Sequence, residues 1–120
     1  MPTAEVSAQI ERRVIGEAWG ANGYTTVEQA DELGRRLDLR PGHTLLDVGT
    51  GRGWPGLYLA KTTGCSLIGT DMPFDALTAA ASRAQAEGIN NRVSLLAASG
   101  VHQPFKTETF DAVVHTDVLC

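Results

Sequence analysis

Cysteine is scarce: Cys65 and Cys120 are the only two in 120 residues, too few for a disulfide scaffold and without the paired spacing of a metal site. No apolar run approaches the ~20 residues that a membrane-spanning helix needs. A basic surplus is missing too. Ten Lys and Arg face 14 Asp and Glu, with 7 acids and 5 bases in residues 1–40 and the same numbers in residues 41–120. That even, acidic balance argues against nucleic acid or an anionic membrane as partner. Met1-Pro2-Thr3-Ala4-Glu5-Val6 meets charge before any apolar run forms, unlike a secretory signal peptide, so the expected location is cytoplasmic. Repeats and low-complexity segments are absent. What remains is a chain 42% apolar and 20% charged, the balance of one folded domain or a piece of one. A domain of this size buries about 60 to 70% of its unfolded surface and needs no staple.

Val6, Ile10 and Val14 recur every four residues, the stripe of an amphipathic helix. It stops at the turn-rich link Trp19-Gly20-Ala21-Asn22-Gly23-Tyr24. Thr25-Thr26-Val27-Glu28 then has capping-box spacing, and Val27, Ala30, Leu33 and Leu37 mark a second helical face. Arg40-Pro41-Gly42-His43 turns the chain. From Thr44 the period changes. Leu45-Leu46-Asp47-Val48 reads as a short buried strand, and Trp54 to Lys61 as a helix with Pro55 in its first turn. Ser66 to Asp71 reads as a second strand, and Pro73 to Glu87 as an alanine-rich helix stopped by Gly88. Val93 to Ala98 and Phe110 to Thr116 predict a third and a fourth strand. Strands alternating with helices of about 15 residues make a parallel α/β sheet. The expected fold is therefore a Rossmann-like doubly wound parallel sheet preceded by N-terminal helices. Residues 1–40 form the helical segment, a candidate lid, and residues 41–120 form a ligand-binding domain that stops just after its fourth strand.

Glycines fall at 49, 51, 53 and 56, in Asp47-Val48-Gly49-Thr50-Gly51-Arg52-Gly53-Trp54-Pro55-Gly56 between the first strand and its helix. A tight turn needs one or two. Four imply that a ligand approaches the main chain where no Cβ stands in the way. Two ligand classes compete. Gly51 to Gly56 spells the G-x-G-x-x-G dinucleotide fingerprint, and Asp71 lies 20 residues after Gly51, where a ribose-binding acid belongs. Against a pyrophosphate, Pro55 removes an N–H donor and Asp47 sets a carboxylate beside the turn. Two unit charges ~4 Å apart interact by about 4 kcal/mol at a partly buried site, which repels phosphate and attracts a cation.

Leu45-Leu46-Asp47-Val48-Gly49-Thr50-Gly51-Arg52-Gly53 resembles the first motif of class I S-adenosylmethionine-dependent methyltransferases, acid-x-Gly-x-Gly-x-Gly. Ile68-Gly69-Thr70-Asp71-Met72 is similar to the acidic end of that family's second strand. Pro104-Phe105 followed by Phe110-Asp111-Ala112-Val113-Val114 is similar to the stretch leading into its fourth. The resemblance covers roughly residues 40–120 and implies S-adenosylmethionine as cofactor. It implies that Gly49, Thr50 and Gly51 contact the methionine portion through main-chain atoms and that Asp47 helps to orient its ammonium. Asp71 then binds the ribose hydroxyls and Met72 packs on adenine. Where many members carry an acid for the adenine amino group, this chain has Ser99 followed by Gly100, a neutral acceptor in place of a charged one. The family's sheet continues beyond the fourth strand, so the methyltransferase domain is expected to be incomplete here, with a fourth strand whose bare edge can pair with a partner.

No catalytic residue or metal ligand is assigned. Methyl transfer needs in-line approach to the methyl carbon, so positioning and exclusion of water supply much of the rate. His43 and His102 read as loop histidines, whereas His115, at the end of the fourth strand, reads equally as pocket lining or structure. Trp19 and Tyr24 anchor the link or belong to a lid, and Trp54 shapes the pocket or packs its helix. Arg12-Arg13 and Arg35-Arg36 interleave with acids and read as solvated faces. His115-Thr116-Asp117-Val118 lacks the acid-or-Asn-Pro-Pro-aromatic motif of enzymes that methylate planar amino groups, which points to a small-molecule acceptor. The alternatives are an NAD(P)-dependent oxidoreductase and a catalytically silent, truncated binding module.

Overall fold

The computed structural model describes residues 25–72, 74–98 and 110–115. The stripe at Val6, Ile10 and Val14 and the link at Trp19 to Tyr24 lie outside the described residues. Helix α1 spans Val27–Arg36. Its capping box sits one residue later than the Thr25–Glu28 spacing suggests. Gln29 N–H donates to Thr26 Oγ1 at 3.1 Å, and Thr26 N–H donates to Gln29 Oε1 at 2.9 Å. The reason is long-range: Thr25 is buried, and its carbonyl accepts the Trp54 indole N–H at 2.7 Å. Arg35 and Arg36 both pair with Glu32 on the exposed side of α1, the solvated face that their spacing predicts.

Strand β1 is Thr44–Val48, helix α2 is Gly56–Thr63 and strand β2 is Ser66–Asp71. Helix α3 is Phe74–Ala86, and after a 3-10 turn at Asn90–Arg92 strand β3 is Val93–Ala97. Strand β4 is Ala112–Val114. The sheet runs β3-β2-β1-β4 with every pairing parallel, the Rossmann-like order expected. Two elements depart from their expected bounds by two residues or more at an end. Helix α2 begins after Pro55, which lies at its N-cap. Strand β4 is shorter than Phe110 to Thr116, because its pairing with β1 covers only Leu45 to Asp47. Asp111 clips its start: its N–H donates to the Thr44 carbonyl at 3.0 Å, and its Oδ2 accepts from Thr44 N–H at 2.8 Å.

Leu45 lies in register with Leu67 and Ala112, and this face meets Leu57, Leu59 and Ala60 of α2 and Ala80 and Ala84 of α3 in one core. Fully burying a leucine contributes roughly 2 kcal/mol, and four of the largest wholly buried side chains are Leu45, Leu57, Leu59 and Leu67. Ala30 of α1 and Leu39 after it join the same core. On the other face Leu46 is level with Ile68 and Val113. There Val113 is 54% and Leu96 40% exposed. Arg92 fastens the back of the sheet, donating from Nη1 to the carbonyls of Ala60 (2.8 Å) and Cys65 (2.6 Å). Burial pushes the Cys65 thiol up. Lys61 ties α2 to the end of α3 at 2.8 Å from Glu87, whose carboxyl it holds below the usual range. Among the described residues no helix is long and apolar enough to cross a membrane.

Candidate binding site at the glycine loop

Parallel register places the ends of β1, β2 and β4 on one edge of the sheet, and the loop Gly49 to Pro55 leaves β1 there. Gly49, Gly51 and Gly53 all have left-handed backbones, with φ of 74, 57 and 101°. At Gly53 a Cβ would also collide with the Leu57 side chain. This conformation folds the loop back onto β2. The N–H groups of Gly49 and Thr50 both donate to the Thr70 carbonyl, at 2.7 and 2.8 Å. Gly51 N–H donates to Asp71 Oδ2 at 2.7 Å. Gly53 N–H donates to the Thr50 carbonyl at 2.9 Å, and Pro55 has no N–H. Four N–H groups of the turn are thus already bonded within the protein, and a pyrophosphate at such a loop needs free donors. Carbonyl oxygens of the turn can accept from ammonium or hydroxyl groups and repel phosphate.

Asp47 lies beneath this turn. It is 1% exposed, and its Oδ2 accepts from the buried Thr50 hydroxyl at 2.9 Å. Helix α2 comes down onto the same carboxylate, since a Cβ on Gly56 would stand 2.5 Å from Asp47 Oδ2. Asp47 thus braces the loop from below. Thr50 is buried, its N–H donates to Thr70 and its carbonyl accepts from Gly53.

Asp71 is half-buried at the strand end. Its second oxygen, Oδ1, accepts from Met72 N–H at 2.8 Å. Met72 is 65% exposed. His115 is exposed, one residue beyond the pairing of Val114 with Asp47, and so lies level with the end of β1. Ser99, Gly100 and His102 lie outside the described residues. Trp54 takes the packing role: its indole reaches Thr25 and its ring centroid lies 5.1 Å from that of Tyr58. Tyr58 in turn donates to Asp31 Oδ1 at 2.7 Å, so α1 is tied to the helix that follows the loop. His43 sits before β1, at the other end of the sheet, where its Nε2 accepts from Arg40 Nε at 3.1 Å. A cavity of about 580 Å³ between α1 and α2, lined by Asp31, Gly34 and Thr63 among others, contains none of the loop residues.

Sequence reasoning missed Thr70, whose carbonyl takes two of the loop donors. It also missed Gly69, where a Cβ would come within 2.9 Å of Thr50 Cγ2. A glycine inside a strand often marks close approach of another segment, so Gly69 carried a signal. The acceptance by Thr70 did not, because it depends on the register of β1 against β2.

Residues 45–120 match a family model described as a methyltransferase domain. Over 83 residues the chain is 37% identical to the methyltransferase GfsG of Streptomyces halstedii, covering 69% of this chain and 30% of that protein. It is 29% identical over 113 residues to the 27-O-demethylrifamycin SV methyltransferase of Amycolatopsis mediterranei, with 83% of this chain and 42% of that one covered. Its fold is similar to that of a SAM-dependent methyltransferase from Thiobacillus denitrificans solved with S-adenosyl-L-homocysteine, at a TM-score of 0.67 and 27% identity over 75% of this chain and 36% of that one. The chain thus spans less than half the length of each of these proteins.

Proposed function

Because the chain belongs to the class I S-adenosylmethionine-dependent methyltransferase family, we propose that its glycine-loop crevice binds S-adenosylmethionine and serves methyl transfer to a small molecule. The single observation that carries the reading is the spending of the Gly49, Thr50 and Gly51 N–H groups on Thr70 and Asp71. A loop so arranged disfavours a pyrophosphate, and with it the dinucleotide suggested by the literal fingerprint, while its carbonyls can accept from the ammonium of a methionine portion. The remaining residues fit the same ligand. Main-chain atoms of Gly49, Thr50 and Gly51 hold the methionine portion, with Asp47 buried underneath. Asp71 accepts from the ribose hydroxyls, exposed Met72 covers adenine, and Ser99 and Gly100 are its expected neighbours on the adenine side.

When bound, the cofactor supplies a methyl group on a sulfonium, which an acceptor lone pair takes in line while the thioether departs. The protein's part is to fix the cofactor and exclude water. A small acceptor is supported by relatives named for methylating 27-O-demethylrifamycin SV and phosphoethanolamine, and by the even acidic charge balance. Titration calorimetry of the chain with S-adenosylmethionine, S-adenosylhomocysteine and NAD tests the reading. Binding of the first two and not the third is expected. NAD binding in preference to both overturns it, and binding of none favours the silent module.

A further inference from the structure

We infer that Asp71 is a positioning residue for the amino-acid end of the cofactor as well as a ligand for its ribose, an inference that rests on the reading above. A carboxylate offers about four lone-pair sites. Two are occupied by the protein itself: Oδ2 takes Gly51 N–H at 2.7 Å and Oδ1 takes Met72 N–H at 2.8 Å. Two remain, one on each oxygen, which matches the two hydroxyl donors of a ribose diol. Ribose binding therefore adds to the bracing of the loop and does not compete with it. Gly51 lies three residues past β1's end, in a left-handed conformation that glycine adopts readily, and its N–H is tied down by Asp71. The Thr70 carbonyl already holds Gly49 and Thr50; Asp71 holds the next residue. One side chain thus couples the two ends of the ligand, and removing it loosens the turn that receives the methionine portion even when no ribose hydroxyl is present.

The test separates these roles with two ligands, S-adenosylhomocysteine and its 2′,3′-dideoxy analogue, titrated into the full chain and into Asp71→Ala. A residue that only bound ribose would leave affinity for the dideoxy ligand unchanged. The coupling instead predicts that Asp71→Ala weakens the dideoxy ligand roughly tenfold, the scale of one hydrogen bond to a charged group, and weakens the natural ligand further. Asp71→Asn keeps one carbonyl oxygen for Gly51 and is expected to restore dideoxy binding to within about threefold of the parent, without restoring the ribose contribution. Unchanged dideoxy affinity in Asp71→Ala overturns the inference. Amide hydrogen exchange at Gly51 is read in the unliganded proteins. Faster exchange in Asp71→Ala, slowed again in Asp71→Asn, supports the bracing role, and equal exchange in all three removes it. Should the parent bind neither ligand, the cofactor reading fails and Gly51 exchange alone decides the bracing. Asp71→Ser, too short to reach Gly51, replaces the alanine variant if that one does not fold.

Discussion

Gly56→Ala is expected to destabilise the chain by about 2 kcal/mol through a single collision. The new Cβ would stand 2.5 Å from Asp47 Oδ2 and 3.2 Å from Leu67 Cδ1, and the first distance falls about 0.9 Å short of an ordinary 3.4 Å contact. Asp47 cannot swing aside into water: it is 1% exposed, on a strand paired on both sides. Overpacking of this kind costs about 1–3 kcal/mol, and displacing the carboxylate also threatens its 2.9 Å bond from Thr50, worth about 1 kcal/mol. Replacing glycine in a helix returns at most about 1 kcal/mol. The assay is urea denaturation of four proteins: parent, Gly56→Ala, Asp47→Ala and the double variant. Because the collision needs both side chains, the double variant should be at least about 1 kcal/mol more stable than the sum of the singles predicts. For a domain of this size the single substitution corresponds to a fall in Tm of about 8 °C. Additivity within about 0.5 kcal/mol, or a neutral Gly56→Ala, would refute the reasoning.

Other expectations are simpler. Trp54→Phe keeps the ring against Tyr58 but leaves the buried Thr25 carbonyl without the indole donor, and should cost about 1–2 kcal/mol in the same denaturation assay, with unchanged stability counting against the link. Burial raises the Cys65 thiol above its ordinary value of 9.0, so the folded state keeps a proton that the unfolded chain gives up. Its contribution is intact below pH 9.0 and is lost as pH rises through the raised folded value; above pH 9.0 the Tm of the parent should fall more steeply with pH than that of Cys65→Ala, and equal slopes would count against it. Glu87 has the opposite sign. Its carboxyl is held below 4.5 by the bond from Lys61, so its stabilisation is present above that pH and is lost as pH falls through the lowered value. Glu87→Gln should cost less than about 1 kcal/mol at pH 7 and nothing once the parent is protonated, because Lys61 is largely solvated.

The strands were legible because each carries a local signature. Ser66–Asp71 matches at both ends, since an apolar run stands between Gly64 and the turn at Met72. Strand β4 was legible in place but not in length, because its bounds depend on how far β1 runs beside it and on the Asp111 clip. The capping box was read one residue early for a similar reason: Thr25 and Thr26 are equivalent by spacing, and the bond from Trp54, 29 residues away, distinguishes Thr25. At the site, the glycines and the strand-end acid were visible as residue types. What their N–H groups do was not, because it depends on β2 lying in register beside β1.

The floor of the crevice is made of backbone held from beneath by Thr70, Asp71 and the Asp47–Thr50 pair. A recognition surface written in main-chain atoms does not change when the side chains above it do. Under the proposed function, Arg52, exposed on the loop, and the residues around the rim can change toward new acceptors while the backbone beneath a methyl donor stays as it was.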